Sequence, residues 1–171
     1  MILTIDIGNT NIVFALYEDN GAEIFNIRHS TECKKTADEY GIFLLNFLSN
    51  NHIKPNDIKA IIIESVVPQL NYVFRTMSVN NLGKTPLFVG DDGVKLDLEI
   101  KINNPYTLGA DRVASGIGAI KKYKGKIILV DCGTATTFDV IGDQNDFVGG
   151  IIAPGIMTSI KSLHESTALL P

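Results

Sequence analysis

The chain has 171 residues, the size of one domain or of two small ones, with 45% hydrophobic and 20% charged residues, so wholesale disorder is excluded. Lysine plus arginine number 15 against 19 acids, and a net charge of −4 argues against broad, nonspecific nucleic-acid binding. No uncharged apolar run reaches the length of a membrane span.

Residues 2–7 read as a buried strand ending in an acid, and Gly8-Asn9-Thr10-Asn11 is turn chemistry. Residues 12–17 and 23–28 supply two more strands across the Asp19-Asn20-Gly21 turn, which predicts an antiparallel meander. The apolar spacing of Ala37, Tyr40, Phe43, Leu44, Phe47 and Leu48 predicts a helix over 37–50, closed by Asn50 and Asn51. Pro55-Asn56-Asp57 precedes a short buried strand at 60–63, and Pro68 opens the next helix. One further strand is expected at 86–89, and the polar 90–106 stretch is expected to be irregular. A helix over 108–123 is followed by strands at 126–131, 136–141 and 148–152, and Pro154-Gly155 leads into a last helix carrying Ile156, Ile160 and Leu163. Strands alternating with helices predict an α/β fold.

The N-terminus lacks a basic region and meets Asp6 at once, unlike a signal peptide. Cys33 and Cys132 have no metal-ligand spacing and fit reduced thiols in a cytoplasmic protein. His29, His52 and His164 are far apart; they read as a strand-edge residue, a turn residue and a helix-end residue. Lys121-Lys122-Tyr123-Lys124 reads as a solvated helix end.

Two segments echo one another. Asp6-Ile7-Gly8-Asn9-Thr10 and Asp131-Cys132-Gly133-Thr134-Ala135-Thr136-Thr137 each run strand, acid, glycine turn, hydroxyl, strand. The echo predicts two related half-units facing a shared cleft. Gly8 and Gly133 allow close backbone approach and a positive φ where needed. Backbone N–H groups of such turns can form an anion nest, and Thr10, Thr134, Thr136 and Thr137 add hydroxyl donors. A carboxylate beside a polyphosphate requires a cation between them, and Mg²⁺ suits Asp6 and Asp131 in that position. Two facing turns of this kind read as an ATP clamp. There is no G-x-x-x-x-G-K-[S/T] loop, and Gly116-Ile117-Gly118 lies inside a predicted helix, so neither a P-loop nor a dinucleotide fingerprint applies.

Gly109-Ala110-Asp111-Arg112 opens the helix after Asn103-Asn104-Pro105. Asp111 can accept the proton of an acceptor hydroxyl, and Arg112 can bind an acceptor carboxylate or steady developing charge. The same pair also reads as a favourable helix-start acid and a structural ion pair. Gly149-Gly150 and Pro154-Gly155 flank a tight strand-to-helix turn, where close approach of a nucleotide phosphate or acceptor is a second reading.

Together the strings DIGNTN at 6–11, SVVP at 65–68, NP..LGADR at 104–112, DCGTATTFDV at 131–140, GGIIAPGI at 149–156 and L...TA.LP at 163–171 resemble the type III pantothenate kinase family. The resemblance implies the actin-like, acetate and sugar kinase fold: two ribonuclease-H-like domains with a cleft between them, expected here at 1–115 and 116–171. It implies phosphorylation of the 4′-hydroxyl of pantothenate by ATP, the first step toward coenzyme A, with Mg²⁺ and a monovalent cation (K⁺ or NH₄⁺), in a cytoplasmic homodimer. Neither a membrane nor a nucleic-acid partner is implied.

Carried over by motif, Asp6, Ile7, Gly8, Asn9, Thr10, Asn11, Ile12 and Val13 correspond to the first phosphate-binding segment, and Thr134 to an ATP contact. Gly109, Ala110, Asp111 and Arg112 correspond to the pantothenate-binding segment, with Asp111 as proton acceptor. Asp131 corresponds to the monovalent-cation ligand. The chain departs from the family at Ile102, where many members have a tyrosine contacting the acceptor, and at Glu64, where a second serine is common. Family chains also run on for roughly another half of this length, so the second domain is expected to be incomplete here. Two rival readings share the fold: an inactive or regulatory nucleotide-binding relative, and a kinase for another small molecule such as a sugar or acetate.

Overall fold

A computed structural model describes residues 1–167. The chain forms two compact units, Met1–Val94 and Lys95–Pro171, the second described to Thr167. They divide earlier than the 115/116 boundary expected from sequence: the helix Ala110–Lys122 runs across that position and packs on strands that follow it.

In the first unit the strands are β1 (Ile2–Ile7), β2 (Asn11–Tyr17), β3 (Glu23–Ser30), β4 (Ala60–Ser65) and β5 (Leu87–Phe88). They form one sheet in the order β3-β2-β1-β4-β5. The meander is present: β1 pairs antiparallel with β2, from Ile2↔Tyr17 to Ile7↔Ile12, and β2 pairs antiparallel with β3. On its other side β1 pairs parallel with β4, so the apolar strand bearing Asp6 is central. That position explains why Leu3, Ile5 and Ile7 are all buried.

Helix α1 (Ala37–Asn50) begins in a capping box. The Thr36 hydroxyl accepts from the Glu39 amide at 3.3 Å, and the Glu39 carboxylate accepts from the Thr36 amide at 2.8 Å. It ends at Asn51, whose side-chain amide donates to the Phe47 carbonyl at 2.9 Å. Helix α2 (Pro68–Leu82) starts with proline at its first turn and stops at Gly83, whose φ of 65° is left-handed. Buried aromatics join these helices to the sheet: Phe14 and Phe74 lie 6.0 Å apart, and Tyr40 and Phe74 4.8 Å apart. Each fully buried ring stabilises the unit by roughly 1.5–3 kcal/mol through area removed from water.

In the second unit the strands are β6 (Glu99–Ile100), β7 (Ile127–Cys132), β8 (Ala135–Ile141) and β9 (Asp146–Pro154). The order is β6-β9-β8-β7, with β7, β8 and β9 antiparallel and β6 parallel to β9. Helix α3 (Ala110–Lys122) covers one face, with a core of Leu98, Ala119, Ile120, Ile141 and Phe147. Helix α4 (Ile156–Ser166) follows β9. The other face of the sheet carries Ile128, Val130, Phe138, Val140 and Ile151 in mutual register, and all five are exposed. Among the described residues β7 pairs on one side only, with β8.

The stretch expected to be irregular is more ordered than its polarity suggests. It contains β6 and a 3-10 turn at Pro105–Thr107. The signal was a period of two: Val94, Leu96, Leu98 and Ile100 alternate with charged residues, and Leu98 is buried.

Candidate functional site

The tip of the β1–β2 hairpin is the Gly8–Thr10 turn. The Gly8 amide donates to the Asn11 carbonyl at 3.0 Å, closing the turn. Gly8 and Gly133 both lie outside the left-handed region, so the positive φ allowed for in sequence is not used. Crowding is the reason for Gly8: a Cβ there would stand 3.0 Å from the Asn11 carbonyl oxygen. A Cβ at Gly133 would meet nothing nearer than the Ala135 carbonyl at 3.7 Å, an ordinary contact.

Of the expected nucleotide segment, Ile7 and Ile12 are core residues, whereas Asp6, Asn9 and Thr10 are exposed. The turn is held from behind by Thr31, a residue sequence reasoning missed. Its amide donates to the Thr10 carbonyl at 3.0 Å and its hydroxyl to the Gly8 carbonyl at 2.6 Å. The next residue is clasped in turn by the buried Tyr40 hydroxyl, which donates to the Glu32 carbonyl at 3.0 Å and accepts from the Glu32 amide at 3.1 Å. Burial raises the Tyr40 phenol above its ordinary pKa. Beside it, the His29 ring donates through Nδ1 to the Ser30 carbonyl at 2.5 Å and accepts from Lys35 through Nε2 at 2.9 Å. His29 thus sits on the edge strand β3, as its sequence context predicts.

The second unit carries the echo at the β7–β8 hairpin. The Gly133 amide donates to the Ala135 carbonyl at 2.9 Å. Asp131, Cys132 and Thr134 are exposed, and both cysteines are free. The start of α4 grips this turn. The Thr134 carbonyl accepts from the Gly155 amide at 3.0 Å and from the Thr158 hydroxyl at 2.8 Å. Gly155 is required by that grip, since a Cβ would strike the Gly133 carbonyl oxygen and approach the Thr134 carbonyl oxygen to 2.6 Å.

The described residues contain no group of three or more His, Cys, Asp or Glu able to hold a metal ion. Single exposed carboxylates such as Asp6 and Asp131 fit an ion that shares its coordination with phosphate oxygens and water rather than one caged by protein.

Gly109, the N-cap of α3, Ala110 and Asp111 bring the third motif to a helix start. Asp111 curls back so that its Oδ1 accepts from the Arg112 amide at 2.8 Å. A Cβ at Gly109 would collide with that same oxygen, so glycine there makes room for the carboxylate. The carboxylate lies in the first turn of α3, at the positive end of the helix dipole. Arg112 does not pair with Asp111 through its side chain. Its Nε donates to Oδ1 of Asp139 on β8 at 2.8 Å, Nη2 donates to the same oxygen, and the guanidinium lies 5.3 Å from the centre of the Phe147 ring. Asp139 is 1% exposed and Arg112 14%, which makes this a buried ion pair. Ile102 packs against the Leu98–Phe147 core.

The sequence matches the type III pantothenate kinase family over residues 2–171. Curated relatives called type III pantothenate kinase are 42% identical in Rhodospirillum centenum, 44% in Paramagnetospirillum magneticum and 43% in Listeria welshimeri, each over the whole chain. The chain spans about 65% of the length of those relatives. Among solved structures, a Sinorhizobium meliloti protein described as a 2-dehydro-3-deoxygalactonokinase matches with a TM-score of 0.57 at 12% identity, over 99% of this chain and 58% of the other. The Aquifex aeolicus Ppx/GppA phosphatase matches with a TM-score of 0.51 at 14% identity, over 96% of this chain and 54% of the other. These likenesses show the α/β fold of the actin-like ATPases and sugar kinases. The chain belongs to the type III pantothenate kinase family.

Proposed function

We propose that the protein, as a member of this family, takes part in ATP-dependent phosphorylation of the 4′-hydroxyl of pantothenate, yielding 4′-phosphopantothenate on the route to coenzyme A. The observation that carries the reading is the Asp111 carboxylate: one oxygen is fixed by the Arg112 amide and leaves the other for a substrate proton. In the step, the acceptor oxygen bonds to the γ-phosphorus, the bond from that phosphorus to the β–γ bridging oxygen breaks, the hydroxyl proton passes to Asp111, and ADP departs. Such catalysis is mainly positioning and electrostatics.

Gly8, Asn9 and Thr10 receive phosphate oxygens, and Thr134 contacts ATP. Gly109, Ala110 and Arg112 receive pantothenate, with Arg112 on its carboxylate. Mg²⁺, when bound with the nucleotide, supplies charge neutralisation on the phosphates; Asp6 is the carboxylate that would hold it, and Asp131 would hold K⁺ or NH₄⁺. A homodimer in the cytoplasm completes the proposal. Among the described residues no helix is long and apolar enough to cross a membrane.

The test is an ADP-coupled assay on the protein with ATP, Mg²⁺, K⁺ and pantothenate, beside an acceptor panel of sugars and acetate. Turnover dependent on pantothenate and abolished by Asp111→Asn is the expected result. Turnover only with a sugar or acetate, or none with any acceptor, would sink the proposal.

A further inference from the structure

We infer that Asp139 is a positioning residue for acceptor recognition: it anchors the Nε–Nη2 edge of Arg112, so that Arg112 meets an acceptor carboxylate through Nη1. The inference rests on the proposal that Arg112 receives pantothenate.

Three observations support it. Asp139 lies on β8, a strand whose neighbouring residues Phe138 and Val140 are exposed and apolar, yet it is the nearly fully buried member of that run. Its Oδ1 takes both Nε, at 2.8 Å, and Nη2 of Arg112. Two donors on one oxygen fix the plane of the guanidinium, and the Phe147 ring at 5.3 Å supports it from the core.

Gly150 completes the arrangement from β9. It faces Asp139 directly in the strand register. A Cβ there would strike Nη2 of Arg112 and come within 2.5 Å of Oδ1 of Asp139 and 2.6 Å of the Phe138 carbonyl oxygen. The absence of a side chain at 150 is therefore what allows the pair to close against the sheet. An arginine on the first turn of a helix would otherwise swing through many rotamers. Here two strands reduce it to one, and a pre-oriented guanidinium loses less freedom when an anion arrives.

The test combines a wild-type measurement with two variants. By NMR, the Arg112 Nε–H should exchange with water about tenfold more slowly than those of Arg28 and Arg75, because a buried charge-assisted bond holds it. Exchange at the same rate would overturn the anchoring, whatever the variants do. Calorimetric titration of Asp139→Asn and Gly150→Ala with pantothenate should show affinity reduced by about tenfold, with less than about a twofold change for the neutral analogue bearing an alcohol in place of the carboxylate. Equal losses for both ligands, or no loss for either, would overturn the positioning role while leaving the pantothenate proposal intact. Failure of the wild-type chain to bind pantothenate would instead sink that proposal, and the acceptor role of Asp139 with it.

Discussion

The Gly155→Ala substitution isolates the contact between α4 and the β7–β8 turn. The added methyl group meets backbone, not a flexible side-chain end: the Gly133 carbonyl oxygen, the Thr134 carbonyl oxygen at 2.6 Å and the Thr134 carbonyl carbon at 2.8 Å. Relief requires the helix start to withdraw from the turn. Withdrawal stretches the two hydrogen bonds on the Thr134 carbonyl, now 3.0 and 2.8 Å. Overpacking costs about 1–3 kcal/mol and each bond about 0.5–1.5 kcal/mol, so the destabilisation should total roughly 2–6 kcal/mol. The control is Gly118→Ala, an exposed position inside α3 where a Cβ meets nothing within 4 Å; better helix propensity should stabilise it by about 0.5–1 kcal/mol. Urea denaturation gives the free energies, and amide exchange at residues 132–136 reports the turn itself. The expected pattern is faster exchange at the turn together with a weaker titration by an ATP analogue. A Gly155→Ala protein within about 0.5 kcal/mol of wild type and with unchanged exchange at Gly133 would refute the argument.

Three further outcomes are expected. Thr31→Val keeps the shape but removes the bond to the Gly8 carbonyl, so stability should fall by about 0.5–1.5 kcal/mol and ATP-analogue binding should weaken, both measurable by thermal shift with and without nucleotide. Phe74→Ala removes a fully buried ring that contacts Phe14 and Tyr40, and urea unfolding should show a loss of about 3–5 kcal/mol. Hydrogen bonds from the Thr36 amide and then its hydroxyl hold Glu39 below its ordinary pKa of 4.5. A lowered carboxylate pKa stabilises the folded state above the ordinary value, and that contribution is lost as pH falls below 4.5 through the folded pKa. The stability of Glu39→Gln should therefore depend less on pH over that acid range than wild type does.

Much of this fold was legible because its period is regular and its punctuation strong. The 2–7 strand and the 37–50 helix coincide with β1 and α1, where an apolar run ends at a glycine turn and a threonine cap stands three residues before a glutamate. Strand β6 was hidden because its pairing is nonlocal: two residues join β9, and the acids between its apolar positions made the segment look polar. The same limit applies at the site. The helix start that carries Asp111 is legible in the sequence, but nothing local to Asp139 announces its pairing with Arg112, which depends on the strand register that sets it against Gly150. Thr31 left no local signal at all, since its role is to reach a turn 23 positions earlier in the chain.

The exposed row Ile128, Val130, Phe138, Val140 and Ile151 bears on how the protein behaves in a tube. Beside it, among the described residues, the outer edge of β7 has no paired strand, the kind of edge that invites strand addition. Among the described residues the second unit therefore combines an exposed apolar face with an unpaired strand edge, whereas the first places the corresponding strand, β1, between two neighbours. Concentration-dependent light scattering and dye binding should originate in residues after Val94, and a charge at Val130 should improve colloidal behaviour without touching the phosphate turns.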